Sequence, residues 1–137
     1  MAFSFTAGAQ KNQIEKVWYD ENKSCKVQIY EGIDHRFYGK IIWLSEPLDK
    51  TTGKPQSDSE NPDPKLRQRP VNGLVIFNGF SVDAHDQNVY VDGNIYDPDS
   101  GKTYCEKITF KGDKLDLRGS LCSFSIFGKT ETWTLAN

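Results

Sequence analysis

The sequence has no excess of charge of either sign and no long apolar run, and both absences exclude classes of protein. Lys and Arg together number 17 and Asp and Glu 19, which gives a formal net charge of −2. A nucleic-acid-binding surface needs a clustered excess of cations, so no nucleic-acid partner is predicted. No segment approaches the roughly 18 consecutive apolar residues of a membrane-spanning helix, so no transmembrane segment is predicted either.

Side chains that bind metals or attack substrates are also scarce. No two of the three cysteines, Cys25, Cys105 and Cys122, have the spacing of metal ligands. Either one pair forms a disulfide in an oxidising compartment, or all three are small buried apolar residues, which is the favoured alternative. His35 and His85 each lie beside an Asp, but neither is tied to a Ser or Cys nucleophile. The sequence therefore predicts no metal, no cofactor and no enzymatic activity.

Alternation of apolar and polar residues is the dominant pattern, and it predicts eight β-strands. Aromatic residues, which favour strands, make up 12% of the sequence. The predicted strands lie around residues 17–19, 25–30, 36–44, 71–77, 89–96, 104–110, 115–118 and 124–135. Gly39 lies inside the third of these and predicts a bend or bulge there.

Most of the predicted connections are short and rich in Asp, Asn and Gly, as in hairpin turns. Short hairpins in series predict an all-β fold, an eight-stranded antiparallel up-and-down barrel whose interior can hold a small ligand. A β-sandwich is the alternative fold. It requires longer crossover connections, and only one long connection is found.

The first ten residues end in Ala7-Gly8-Ala9, a small-residue pattern typical of a signal-peptidase site. No basic region and no full apolar region precede it. We interpret residues 1–10 as a residual signal peptide or a disordered tail, and residues 11–137 as a single β-barrel domain. The signal-peptide interpretation predicts a secreted or periplasmic protein.

The long connection runs from Ser45 to Pro70 and predicts one short helix. Its Thr51–Glu60 portion has the composition of exposed turns. In the following residues, Asp63 is placed to cap a single helical turn that begins at Pro64 and ends before Pro70. Prolines restrict the backbone, so this portion is expected to be ordered rather than flexible.

Five blocks in this order and spacing resemble the bacterial family called Domain of Unknown Function 2147. They are Gly39–Leu44, Asn61–Pro70, Gly93–Tyr104, Leu115–Gly119 and Gly128–Trp133. The resemblance covers roughly Val17 to Leu135 and implies a secreted, lipocalin-like barrel without an established activity. By analogy with lipocalins, it also implies a cation–π contact across the closed end of the barrel between Trp18 and Lys129 or Arg118.

Candidate ligand-binding residues are aromatic or cationic. Four aromatic candidates lie within the five blocks, namely Trp43, Tyr96, Tyr104 and Trp133. They suit an apolar or amphipathic ligand, or else they pack in the core. Arg118 is expected either to point into the barrel toward Asp116, Glu106 or a ligand carboxylate, or else to form a structural ion pair or face outward. Arg67 and Arg69 would clamp an anionic group at the barrel mouth, or else anchor the long connection by hydrogen bonds to backbone carbonyls.

Three functions remain open on these residues. The favoured one is a secreted bacterial protein that binds a small apolar or amphipathic molecule inside the barrel. The alternative is a protein-interaction module of the cell envelope with a filled barrel, whose protein partner the sequence does not identify. An enzyme is the third, and it requires His35 or His85 to line a cavity beside a carboxylate.

Overall fold

The computed structural model describes residues 12–123 and 128–136, which form a closed barrel of eight antiparallel strands. In chain order the strands are β1 Val17–Tyr19, β2 Cys25–Glu31, β3 Phe37–Leu44, β4 Val75–Val82, β5 Val89–Asp97, β6 Lys102–Phe110, β7 Lys114–Leu121 and β8 Gly128–Leu135. Each strand pairs with the next, and β8 returns to pair with β1. The predicted up-and-down barrel is confirmed.

The predicted fourth strand is displaced along the chain. β4 begins at Val75 and not at Val71, because the intervening residues form a turn in which Gly73 has a φ of 93°. The backbone N–H of Leu74 donates to the carbonyl of Val71 (3.0 Å), which closes that turn. Turn chemistry at Asn72-Gly73 therefore outweighs the apolar composition of the run.

The bulge predicted at Gly39 is confirmed. Where β3 pairs with β4, the register shifts on both sides of this glycine. A Cβ at this position would lie 2.8 Å from Phe77 Cβ and from Val27 Cγ1. Only glycine lets the two neighbouring strands pack this closely. At the other end of the chain, residues 124–127 of the last predicted strand lie outside the described residues, as does the N-terminal segment 1–10.

Because the strands alternate in direction, the barrel has two different ends. The closed end carries the β2–β3, β4–β5 and β6–β7 turns and the segment before β1. It is filled by buried aromatic side chains from four strands, namely Trp18, Phe37, Phe80 and Tyr90. Ile14, which is fully buried, precedes β1 and accepts a hydrogen bond from Trp18 Nε1 on its carbonyl oxygen (3.0 Å). This half of the interior is solid.

The cation–π contact implied for Trp18 is wrong. Trp18 packs edge-on against Phe110, with ring centroids 6.2 Å apart. Lys129 lies instead over the ring of Tyr104, 4.1 Å from its centroid, and Arg118 is exposed on the outer face. β8 runs from the open end to the closed end, so a residue at its start is remote from the Trp18 packing.

A disulfide joins Cys105 on β6 to Cys122, which directly follows β7. Antiparallel pairing of these strands brings the two Cα atoms to 5.0 Å. Both cysteines are exposed, whereas Cys25 is a free thiol buried inside the barrel. The favoured interpretation of three buried apolar thiols is therefore wrong for the bonded pair.

Removing this disulfide is expected to lower the free energy of unfolding by about 2–3 kcal/mol, because it closes a short loop in the unfolded chain. The change is Cys105→Ser with Cys122→Ser, measured by urea denaturation. Reductant should destabilise the wild type to the level of the double variant and leave the double variant unchanged. Equal stability of the wild type and the double variant in the absence of reductant would contradict the expectation.

No helix within the described ranges is long and apolar enough to cross a membrane.

Candidate functional site: a cavity at the open end of the barrel

The long connection between β3 and β4 covers part of the open end, and it contains the predicted helical turn. Pro64–Leu66 forms a short 3-10 helix, and the Asp63 side chain accepts a hydrogen bond from the backbone N–H of Lys65 (3.0 Å). The cap and the proline at the first helical position are as predicted. The segment is therefore a fixed structure beside the barrel rather than a flexible linker.

Asp58 anchors this connection to the barrel. It is fully buried, and its Oδ1 accepts a hydrogen bond from the hydroxyl of Tyr96 on β5 (2.6 Å). Its Oδ2 accepts from Asn61 Nδ2 and from Arg69 Nε, both at 2.8 Å. Burial, followed by the hydrogen bond to Asp58, raises the pKa of Tyr96 to about 12. The expectation that 51–60 is all exposed turn is wrong at Asp58, because Tyr96 supplies its partner from a distant strand.

The two arginines of the connection are used for anchoring. Arg67 Nε donates to the carbonyl oxygen of Asn61 (2.7 Å), and Arg69 pairs with Asp58. Arg67 thus makes the predicted bond to a backbone carbonyl, whereas Arg69 anchors the connection through a side-chain carboxylate instead. The connection also packs on the β5–β6 turn, where Gly101 leaves no room for a Cβ beside the carbonyl of Glu60.

Two adjoining cavities lie beneath and beside this connection. The inner cavity, of about 210 Å³, lies within the barrel. The vestibule, of about 410 Å³, lies between the connection and the β5–β6 turn. Both are lined by Ser24, Leu44, Val71, Pro98 and Asp99, so the vestibule borders the inner cavity.

The inner cavity is lined by both apolar and acidic side chains. Its apolar and aromatic lining consists of Cys25, Ile41, Leu44, Val71, Ile76, Ile95, Tyr96, Tyr104 and Trp133. Its charged lining, within the part of the chain that the structure describes, consists of five carboxylates, Asp20, Asp97, Asp99, Glu106 and Glu131, and one cation, Lys129. From the same described residues the vestibule adds Glu46 and Glu60 and no Lys or Arg. The open end is therefore acidic.

Glu106 is paired with a glycine on each of the two neighbouring strands, so no side chain flanks it within the sheet. Gly93 pairs with it on β5 and Gly119 on β7, and Gly119 in turn pairs with Lys129 on β8. A Cβ on Gly119 would collide first with the carbonyl oxygen of Cys105 and would also lie 2.8 Å from Glu106 Cγ. The glycine therefore lets β7 approach β6 closely and leaves room for the Glu106 side chain.

The Glu106 carboxyl group is buried without full hydrogen bonding. The residue is 8% exposed, and its Oε1 accepts no hydrogen bond from the described part of the chain. Burial, followed by the nearby charge of Glu131, raises its pKa to about 7, although Lys129 acts in the opposite direction. A buried polar atom without a partner is uncommon in native proteins and requires an explanation.

Two of the charged groups near Glu106, namely Glu131 and Lys129, are paired with each other. Glu131 accepts hydrogen bonds from Trp133 Nε1 (3.0 Å) and from Lys129 Nζ (2.9 Å). Burial alone would lower the pKa of Lys129, but its bond to Glu131 raises it overall. At the cavity mouth, burial and then the charges of Asp97 and Asp20 raise the pKa of Asp99. Lys129 thus neutralises Glu131 and leaves the other carboxylates in excess.

Of the predicted ligand-binding residues, Tyr96, Tyr104 and Trp133 line the inner cavity. Trp43 lies on the outer surface, 39% exposed, beside the ring of Tyr19. Arg118 also faces outward, where it borders a shallow groove on β5, β6 and β7. Together with the anchoring arginines, four of the seven predicted residues therefore lie outside the cavity lining.

Sequence reasoning named Glu106 only as a possible partner of Arg118 and predicted none of these carboxylates as a cavity residue, although an alternation signal exists for two of them. Glu106 has the same parity on β6 as Tyr104 and Ile108, and Ile108 is fully buried. Glu131 similarly has the parity of the buried Trp133 on β8. A charged residue at an inward position of a barrel strand is the pattern that could have found them.

Neither histidine belongs to this site. His35 and His85 lie on exposed turns at the closed end, and His35 Nδ1 contacts Glu31 (3.1 Å). Within residues 12–123 and 128–136, no group of three His, Cys, Asp or Glu side chains is arranged to hold a metal ion.

Comparison with known proteins places this barrel in a family. Protein HP1028 from Helicobacter pylori, described as belonging to the lipocalin family, has a similar solved structure, with a TM-score of 0.72 and 26% sequence identity. The match covers 90% of this chain and 83% of that one. No curated protein matches the sequence. The family model described as "Uncharacterized protein conserved in bacteria (DUF2147)" matches residues 16–135, nearly the whole barrel. The chain therefore belongs to the DUF2147 family, and its fold is lipocalin-like.

Proposed function

We propose that this protein binds a small amphipathic molecule in the inner cavity and acts outside the cytoplasm. The observation that carries the proposal is the cavity of about 210 Å³ at the open end, which has apolar walls and a few polar groups. Binding sites for small molecules combine these features. A dry cavity of roughly 150 Å³ accommodates benzene, so the inner cavity has the volume for one substituted ring.

An extracytoplasmic location is supported by the disulfide between Cys105 and Cys122. Disulfides persist in oxidising compartments and are rare in the cytosol. The similarity to HP1028, described as a lipocalin family member, supports a binding role by analogy. The half-filled interior favours this role over the interaction module, which requires a filled barrel.

Benzyl alcohol is a suitable first probe, because it has one ring and one polar group. We expect calorimetry or ligand-observed NMR to detect its binding to the purified protein. Cys25→Phe directs a ring into the inner cavity and should weaken binding at least tenfold. Ile33→Phe adds the same ring at a fully exposed position of the β2–β3 turn and should leave binding unchanged.

Mass spectrometry of the native protein provides a second test, in which a co-purifying small molecule is expected and should be absent from Cys25→Phe. The proposal is contradicted if benzyl alcohol does not bind and no molecule co-purifies. It is also contradicted if a folded Cys25→Phe variant binds as the wild type does.

A further inference from the structure

We propose that the ligand carries a protonated amine, and that the Glu106 carboxylate receives this cation inside the barrel. This inference rests on the proposed function and specifies the polar end of its ligand. The candidate arginines in the sequence predict a ligand with an anionic group, and the inference from the structure is a ligand of the opposite charge.

The first support is the hydrogen-bonding state of Glu106. The residue is more than nine-tenths buried and lines the inner cavity, and one of its carboxyl oxygens is buried without a partner among the described residues. Leaving such an oxygen unpaired costs on the order of 1–3 kcal/mol. An ammonium N–H would satisfy it with a charge-assisted hydrogen bond, which is stronger than one between neutral groups.

The second support is the distribution of charge around Glu106. Lys129, the cation in the described lining of the cavity, already binds Glu131 at 2.9 Å. Asp20, Asp97 and Asp99 line the same cavity from the β1–β2 and β5–β6 sides. A carboxylate ligand would enter against this acidic lining, whereas a cation would be attracted to it.

The third support is the aromatic lining beside the carboxylates, since Trp133 donates a hydrogen bond to Glu131 and Tyr104 lies two residues before Glu106 on β6. Tyr104 and Trp133 line the cavity, and Tyr104 already has an ammonium group, that of Lys129, over its ring. Aromatic faces attract cations, and they also pack against the apolar part of a ligand. A lining that combines apolar and acidic side chains suits an organic amine better than a bare ion.

Three ligands of the same shape test the charge preference, namely benzylamine, benzyl alcohol and benzoate. At pH 8, where Glu106 is largely ionised given its pKa of about 7, benzylamine should bind at least tenfold more tightly than either other compound. Glu106→Gln keeps the shape of the side chain but removes its charge. It should weaken benzylamine binding at least tenfold while leaving benzyl alcohol binding within twofold.

Asp113→Asn is the matched control, because Asp113 lies on the exposed β6–β7 turn at the closed end. It removes one negative charge and should not change benzylamine affinity more than twofold.

Acidification from pH 8 to pH 6 should weaken benzylamine binding to the wild type as Glu106 gains a proton. This pH dependence should be smaller in Glu106→Gln, which retains Asp20, Asp97, Asp99, Lys129 and Glu131 around the site.

The outcomes separate this inference from the proposed function. If benzyl alcohol binds but benzylamine is not preferred, or if Glu106→Gln binds benzylamine normally, the amine inference is overturned and the binding function stands. Tighter binding of benzoate than of benzylamine overturns it as well. If none of the three compounds binds and no small molecule co-purifies, both proposals are overturned.

Discussion

Replacing Asp58 with Ala is expected to destabilise the barrel by about 3 kcal/mol, because it leaves buried polar groups without their partner. Tyr96 loses the acceptor of its hydroxyl, and Asn61 and Arg69 lose theirs. Arg69 is partly exposed and can turn to water, so most of the loss arises at Tyr96 and Asn61. Urea denaturation measures the change.

The matched control is Asp63→Ala in the same connection. Asp63 is exposed and accepts one backbone hydrogen bond, so its loss should cost no more than about 1 kcal/mol. Hydrogen exchange should show faster exchange of the amides of residues 45–74 in Asp58→Ala than in Asp63→Ala. Equal destabilisation by the two substitutions would show that Asp58 is not the anchor.

The second large effect is a pH-dependent stability that Glu106 imposes on the barrel. Its pKa is about 7 in the folded protein against 4.5 for an ordinary Glu, so the folded state holds the proton more tightly than the unfolded chain. The contribution of Glu106 to the free energy of unfolding is therefore largest below pH 4.5, and it falls as the pH rises toward 7. The shift corresponds to about 3 kcal/mol.

Glu106→Gln should remove this dependence. Between pH 4.5 and pH 8, the free energy of unfolding of the wild type should fall by about 3 kcal/mol relative to that of the variant. Comparing the two proteins across pH cancels the cost of burying the neutral amide. The exposed Asp113→Asn variant should follow the wild type at every pH. Parallel profiles for wild type and Glu106→Gln would contradict the assignment.

These two carboxylates have opposite relations to stability. Asp58 is buried with three hydrogen-bond partners, so removing it leaves other groups unpaired. Glu106 is buried with an oxygen unpaired and has a raised pKa, so its ionisation is expected to cost stability as the pH rises toward 7. A group that costs stability and faces a cavity is a candidate for binding, since functional sites are where such costs are retained.

Local features of the sequence were sufficient for most of the architecture. Alternation of side chains marks strands such as Cys25–Glu31, and Asp, Asn and Gly mark the turns between them, because both effects act over a few residues. The cap at Asp63 was predictable for the same reason. The same local reasoning misplaced the start of β4, where apolar Val71 and Leu74 flank an Asn-Gly turn.

The candidate site was less accessible from the sequence. Four aromatic residues were predicted to bind a ligand or pack in the core, and of these Tyr96, Tyr104 and Trp133 face the interior whereas Trp43 lies outside. The arginines were predicted to bind a ligand because they are charged. Arg118, however, is at an outward-facing position of β7, and Arg67 forms a hydrogen bond within the long connection. The parity of Glu106 was readable from its strand, but its missing partner was not.

The sequence by itself determined the number and order of the strands, the short turns and the anchored helical turn. Only the tertiary structure decided which charges are inside and which cysteines are bonded. The physical reason is that these features depend on groups far apart in the chain, as with Asp58 and Tyr96, which lie 38 residues apart. Closing the barrel brings such groups together, and the pairing of strands then fixes which side of the sheet each one faces.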